Sequence, residues 1–281
     1  MNILGISRSP QFSPNSCNRD KAIFDAVASR LQRSDNEVSV ISEDFFVAVD
    51  LAEFDMVFSM ARSNYVLRIL ADAERTTSLP VYNSALALLQ TMRSRLVALL
   101  HSADIPQPSF QVIEPITPFN LASLVIPFPL WAKRGDACAQ RATDVRYITN
   151  ETDFLQAIAD FEADGVSSVV VEEHVCGDLI KFYGVEGSDF FHFGYPVDGE
   201  GFSKFGLERY NGKPSRYEFS IATLKTVTDN AARATHLTVY GGDAIVRPDG
   251  TFVIIDFNDW PSFSACRKQA AKAIAQRILR K

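Results

Sequence analysis

A chain of 281 residues, 47% hydrophobic and 22% charged with a net charge of -6, is long enough for a large core in two or three modules and lacks the bias of a disordered segment. The acidic balance argues against nucleic acid as the main partner, and no apolar run is long enough to span a bilayer. The chain opens directly on Asn2-Ile3-Leu4-Gly5-Ile6 without the pattern of a signal peptide. Cys17, Cys138, Cys176 and Cys266 show no metal-ligand spacing, so a reduced, cytoplasmic chain is expected.

Residues 1 to about 83 alternate strands and helices. Strands are predicted at Ile3 to Ile6, Val38 to Ile41, Asp55 to Ser59 and Leu79 to Tyr82, with helices over Asp20 to Leu31 and Tyr65 to Glu74. This is an open parallel α/β sheet, in which ligands sit at the carboxyl ends of strands. The loops there, Ser7 to Asn18 and Met60 to Asn64, are polar, and both simple solvated connection and substrate contact are compatible with that. One helix is predicted from Ser84 to Ala103, ending at Asp104-Ile105-Pro106-Gln107-Pro108, where two prolines mark a linker.

Beyond the linker, strands are predicted at Phe110 to Ile113, Leu130 to Lys133, Val145 to Ile148 and Ser168 to Glu173. A short helix is expected over Asn120 to Val125 and a longer one over Glu151 to Ala163, capped by Asn150. The loop Gly135 to Thr143 contains small residues but is glycine-poor for a phosphate loop. Lys181 stands alone in the apolar strand Leu179 to Val185. Asp189 to Ser215, with Phe202, Phe205 and Tyr210 among its aromatics, reads as irregular strands and a flap. A helix follows over Ile221 to Thr235, and a basic amphipathic helix over residues 264–281 closes the chain. The expected division is 1–105, 106–175 and 176–281.

Between the last two helices, Asp243 to Val246 and Val253 to Ile255 are joined by Pro248-Asp249-Gly250 as a hairpin, and the second run passes into Asp256 and Asn258. The latter two share a face of an extended backbone, and oxygen donors of this kind suit Mg²⁺. An ordinary hairpin with polar strand ends is the alternative. Parity imposes a condition: a tight three-residue loop opposes Asp243 to Ile255, so a site shared with Asp256 needs a longer turn or a bulge.

The order of features resembles the ATP-grasp superfamily over nearly the whole chain. The residues that carry the resemblance are Met92-Arg93-Ser94-Arg95-Leu96 through Ile105-Pro106-Gln107-Pro108, Leu130-Trp131-Ala132-Lys133, Val171-Glu172-Glu173-His174-Val175, Lys181, and Gly242-Asp243 with Asp256-Phe257-Asn258. The last set is similar to the metal site of D-alanine:D-alanine ligases, with Asp256 in place of the usual Glu, and Arg93 stands at a usual Lys position. The resemblance implies an α/β (α+β) ATP-grasp fold, in which an N-terminal open parallel α/β pre-ATP-grasp domain precedes two ATP-grasp subdomains with mixed or antiparallel sheets. The lid subdomain comes first and the metal-bearing one last.

It further implies ATP with Mg²⁺ or Mn²⁺ as cofactors, the metal being held by Asp243, Asp256 and Asn258. Lys133 and Lys181 would contact the α- and β-phosphates with help from Arg93. Glu172, Glu173, His174 and Val175 would line the nucleotide pocket. Arg267, with Lys268, would meet the acceptor or the acyl phosphate, a solvated helix start being the alternative. The expected activity is a carboxylate-amine ligase acting on small-molecule or peptide substrates, with no membrane partner. The alternatives are a small-molecule kinase resembling inositol phosphate kinases, with Arg8, Arg19, Arg62 and Arg141 available to an anionic acceptor, and a nucleotide-binding protein without turnover.

Overall fold

The computed structural model describes the chain apart from residues 14, 48, 91, 138, 140, 197–205 and 281. Cys138, Phe202 and Phe205 therefore lie outside the described residues. The first unit is a parallel sheet of β1 (Asn2–Ser7), β2 (Glu37–Ser42), β3 (Met56–Ser59) and β4 (Val81–Tyr82) in the order β2-β1-β3-β4. Central strands of such a sheet are covered on both faces, and all four residues of β3 are buried. Helix α1 (Cys17–Gln32) turns Ile23, Phe24, Val27 and Leu31 inward, and α2 (Asn64–Thr77) does the same with Val66, Leu67 and Leu70.

The helix expected over Ser84 to Ala103 is two helices, α3 (Ala85–Leu88) and α4 (Arg93–Ser102). Met92 is extended (ψ 140) and starts α4. The apolar spacing continues across the break, so periodicity alone could not reveal it. The interruption makes Arg93 the first residue of a new helix, where its side chain is buried and reaches out to the following subdomain.

The second sheet is antiparallel, in the order β5-β8-β6-β7: β5 (Phe110–Ile113), β6 (Leu130–Arg134), β7 (Val145–Ile148) and β8 (Val169–Glu173). Helix α5 (Glu151–Ala163) covers one face with Phe154, Ala157, Ile158 and Phe161, and Asn150 caps it by accepting from the Asp153 N–H at 2.9 Å. The expected helix near Asn120 is only a 3-10 turn, Leu121–Ser123. The third sheet, also antiparallel, runs β10-β9-β11-β12: β9 (Asp178–Val185), β10 (Phe191–Gly194), β11 (Val239–Val246) and β12 (Phe252–Asp259). Helices α6 (Ile221–Thr235) and α7 (Arg267–Leu279) complete the fold. No helix among the described residues is long and apolar enough to cross a membrane.

One correction and one condition left open by the sequence bear on the site. The acids of the hairpin do not end their strands: β11 begins at Val239 and β12 runs on to Asp259, so Asp243, Asp256 and Asn258 are all within the ladder. The turn itself is tight, with Arg247 N–H donating to Thr251 O at 2.8 Å and Gly250 at φ +79. From Val246↔Phe252 to Ala244↔Ile254 the register is regular, and then it shifts at a bulge so that Asp243 opposes Asp256 and Ile255 is the extra residue. Gly242 lets the strands close here, since a Cβ on it would lie 2.1 Å from Asp256 O.

The apolar cores are distributed unevenly. One cluster joins Leu4, Ile6 and Leu70 of the first unit to Phe182, Leu224 and Phe257 of the last, and a second joins Ile3, Phe24 and Phe58 to Trp260, Phe263 and Ile274. A third, with Leu130, Ile148, Phe154 and Val171, lies wholly within the middle sheet and its helix. Buried Asn83 also fastens the first unit to β11: its side-chain amide donates to Val239 O and accepts from Val239 N–H, both at 2.7 Å.

Candidate functional site

A cleft of about 570 Å³ is lined by residues of both antiparallel sheets and by the loops and helices that follow β1 and β3. Its floor holds the opposed acids. Lys181, two residues into the apolar heart of β9, pairs in register with Asp243 and reaches its carboxylate at 3.0 and 3.3 Å. Burial pushes the Asp243 carboxyl above its ordinary value, and the neighbouring Asp256 charge adds to this against the pull of Lys181. Burial acts on Asp256 in the same sense, but Arg93 and Lys133 outweigh it and hold that carboxyl low. Burial likewise opposes the charge on Lys181, yet Asp243 and Glu208 prevail and raise its pKa.

Asn258 donates its amide N–H to Asp256 Oδ2 at 3.0 Å, which commits the nitrogen and leaves ligation to the amide oxygen. Two carboxylates and an amide form an oxygen-only set, which suits a hard cation. Among the described residues no three His, Cys, Asp or Glu side chains are gathered to hold a metal by themselves. A cation here would complete its shell with phosphate oxygens and water, as Mg²⁺ does.

The roof is formed by the middle sheet. Lys133 lies in β6, buried, and its ammonium donates to Glu172 of the adjacent β8 at 2.6 Å and to the Ile255 carbonyl at 2.9 Å. The bulge that opposes the acids thus also supplies the oxygen that anchors the roof lysine. Arg93 reaches from α4 to the Arg134 carbonyl at 3.3 Å and to Asp256 at 3.7 Å, linking roof and floor. At the end of β8, Glu173 is tied to Ser109 through its backbone N–H at 3.0 Å and its carboxylate at 3.1 Å. His174 accepts from the Trp131 indole at 3.1 Å, and burial lowers its pKa, so it is a neutral ring beside Tyr147, which in turn packs against Tyr210. Glu172, Glu173, His174 and Val175 all line the cleft.

Arg267 stands apart from the other candidates. It is the first residue of α7, does not line the cleft, and its buried Nε has no hydrogen-bond partner. The helix begins later than expected, at Arg267, because the segment before it turns at Phe263 (φ +49) to bury that ring.

The end of the cleft facing the parallel sheet brings Arg8 and Arg62, which the kinase alternative named, together with Asp20, Glu43 and Asp259, which sequence reasoning left out. Arg8 and Arg62, from the loops after β1 and β3, converge on Asp259: Arg62 hydrogen-bonds its Oδ1, and Arg8 approaches Oδ2 at 3.5 Å. Arg8 also donates to Asp20 at 3.1 Å, and Ser13 donates to the same carboxylate at 2.7 Å. Buried Glu43 joins the two loops by accepting from the N–H groups of Ser9, Arg62 and Ser63 at 2.6, 2.9 and 2.7 Å. Tyr183 also lines the cleft, and burial pushes its phenol up to about 12, which keeps it a hydrogen-bond donor. The available signal for Asp259 was its place after Asp256 and Asn258. For Asp20 and Glu43 there was none, because their partners are remote in sequence or are backbone amides.

No family model and no curated protein matches the sequence. Solved structures do match the whole chain. The D-alanine–D-alanine ligase of Bacillus anthracis complexed with ATP superposes with a TM-score of 0.67 at 14% identity, covering 99% of this chain and 98% of that one. The RimK domain ATP-grasp protein of Sphaerobacter thermophilus gives 0.67 at 16% identity over 100% of both chains. The VanG D-Ala:D-Ser ligase of Enterococcus faecalis gives 0.67 at 14% identity over 98% of both. The chain therefore has the ATP-grasp fold, with one parallel and two antiparallel sheets.

Proposed function

We propose that this protein is an ATP- and Mg²⁺-dependent ligase that activates a small-molecule or peptide carboxylate as an acyl phosphate and passes it to an amine. The observation that carries this reading is the opposition of Asp243 and Asp256, with Asn258 beside them, beneath Lys133 in a cleft of the ATP-grasp fold. Asp243, Asp256 and Asn258 would hold the cation, which when bound neutralises phosphate charge. Lys133, Lys181 and Arg93 supply fixed positive charge where the phosphates would lie, so that the protein acts by positioning and electrostatic complementarity. The bonds that Lys133 now makes to Glu172 and to the Ile255 carbonyl orient its ammonium before nucleotide arrives. Glu172 is thus a positioning group, and the wall from Glu173 to Val175 is the place for base and ribose.

The charge pattern favours a ligase over a kinase of polyphosphorylated alcohols. Such a kinase needs basic groups in excess at the acceptor end, whereas Arg8 and Arg62 are matched there by Asp20 and Asp259. The deciding experiment is a screen of carboxylate and amine pairs with Mg²⁺-ATP, reading ADP release and the condensed product together. ADP release that requires both partners supports the ligase. A phosphorylated alcohol formed without condensation refutes it.

A further inference from the structure

Strand β9 presents alternate side chains to the cleft, and three of them run outward from the wall assigned to base and ribose. Leu179 packs with Val175 and Ile245 beside that wall. Lys181, two residues on, is the phosphate lysine opposite Asp243. Tyr183 is the next residue on this face, a further step of about 6.8 Å along the strand, and it lines the same cleft. Across the sheet its row passes through Gly241 to Asn258, just as the Lys181 row passes through Asp243 to Asp256. The proposed metal ligands therefore span both rows, and a cation held by them would bridge phosphate oxygens over the first row to oxygens over the second.

The Tyr183 ring is held while its hydroxyl is not. His192, opposite it on β10, stacks with its ring at a centroid distance of 6.1 Å and an angle of 25°, and Phe263 packs against it at 5.6 Å. Gly241 allows the second contact: a Cβ there would lie 2.7 Å from Pro261 Cγ, so its absence lets the segment from Pro261 to Phe263 settle on the sheet. Among the described residues no group hydrogen-bonds the phenol, and its oxygen is not one of the sealed, unpartnered polar atoms, so it opens on the cleft. Burial pushes the phenol up to about 12 against the pull of the Lys181 charge, so at neutral pH it carries a proton with no partner to receive it.

The packing of this residue needs only a ring, which phenylalanine would supply, so the hydroxyl is the part left to explain. A neutral donor fixed next to the phosphate lysine suits a phosphate oxygen, because a hydrogen bond to an anion is of the strong kind and adds no charge for Asp243 to capture. Resting on the nucleotide part of the ligase reading, we propose that Tyr183 binds the γ-phosphate of ATP, its hydroxyl donating to an oxygen of that group. Lys181 meets the phosphates that ATP and ADP share, and Tyr183 meets the one that distinguishes them. ADP therefore lacks this contact, which favours its release once the phosphoryl group has moved. His192 and Phe263 are positioning residues that fix the ring and so aim the hydroxyl.

The test compares ADP with adenylyl imidodiphosphate, an ATP analogue with an intact γ-phosphate, binding to the full chain and to Tyr183→Phe, by calorimetry with Mg²⁺. The variant keeps the ring and loses no hydrogen bond within the protein, so its melting curve should match the wild type. It should bind the triphosphate analogue about tenfold or more weakly while ADP affinity stays within about twofold, as befits one lost hydrogen bond to a charged oxygen. A structural role for Tyr183 would weaken both nucleotides alike. Equal losses for the two, or no loss for either, overturn the γ-phosphate contact and leave the nucleotide reading standing. Failure of the wild type to bind either nucleotide overturns that reading and the contact with it. The expected selectivity together with no condensation in the carboxylate and amine screen keeps the contact and removes only the ligase reading.

Discussion

Asp243 faces Asp256 across the β11–β12 ladder because Ile255 is one residue too many for regular pairing. Alternation of side chains would otherwise oppose Asp243 to Ile255 and turn Asp256 away. Removing the Asp256 carboxylate takes a donor from the cleft and no atom from the core, since its side chain is 30% exposed. Asp256→Ala should therefore lower Mg²⁺-ATP turnover by about 10²-fold or more while leaving the circular dichroism spectrum and melting temperature near those of the wild type. Unchanged turnover would sink the assignment of the metal site.

Lys133 and Glu172 form a buried pair, with side chains 9% and 6% exposed. Lys133→Ala leaves the carboxylate buried with its partner gone, and a loss of about 3–5 kcal/mol is expected in urea unfolding. The double variant Lys133→Met, Glu172→Gln should recover most of that stability. It should not recover ATP affinity if, as proposed, the ammonium meets the phosphate. Wild-type ATP affinity in either variant would contradict the phosphate role.

Acid should affect the two floor carboxylates in opposite ways. Asp256 is held below its ordinary value, so its contribution to stability is present above the ordinary carboxylate range and is lost as pH falls through the lowered pKa. Asp243 is raised, so it weighs against stability once ionised, as pH climbs from the ordinary carboxylate value through the raised one. In the proposed site a cation would bind the ionised form of both. Cation affinity should thus decline as pH drops through the Asp243 pKa, with close to one proton released per ion bound in that window. Calorimetry in buffers of different ionisation enthalpy measures that count, and a value of zero would exclude Asp243 as a ligand.

Asn83→Ala removes both contacts to the Val239 backbone. The Val239 carbonyl keeps the Trp260 N–H at 3.2 Å, but its own N–H loses the Asn83 oxygen. A cost of about 1–3 kcal/mol is expected for that buried donor. Because Asn83 touches no part of the cleft, ATP affinity in the folded variant should match the wild type. A large fall in affinity without a stability change would mean that Asn83 does something other than fasten the first unit to β11.

The parallel sheet, the strands and the interrupting charges were legible because each has a local signature, while the antiparallel layers, apart from the hairpin, were expected from the family resemblance. Runs such as Val169-Val170-Val171 mark strands, Asn150 marks a helix start, and Lys133, Lys181, Asp243 and Asp256 each break an apolar run; the structure gathers all four around one cleft. The parity of the hairpin could be posed from sequence as a condition, though not which of a bulge or a longer turn meets it. Features set by distant partners were illegible. Asp259 meets Arg62 from 197 positions away, and although its place after Asp256 and Asn258 pointed toward the site, nothing in the sequence announces the pairing itself. The break before α4 was hidden because leucines on both sides keep helical spacing. Arg267 was expected at the acceptor or acyl phosphate, with a solvated helix start as the alternative, and it is not among the residues that line the cleft.

The way the apolar clusters divide has a thermal consequence. The first and last thirds of the chain share two continuous interiors, so neither third retains a complete core when the other is lost, and they must enter the unfolding transition together. The middle sheet with α5 encloses a core of its own and meets the rest through hydrogen bonds such as Lys133 to Ile255 and Ser94 to Gly135 and ring contacts such as Tyr147 to Tyr210. Among the described residues it forms a unit equipped to open or melt while the floor of the cleft keeps its shape.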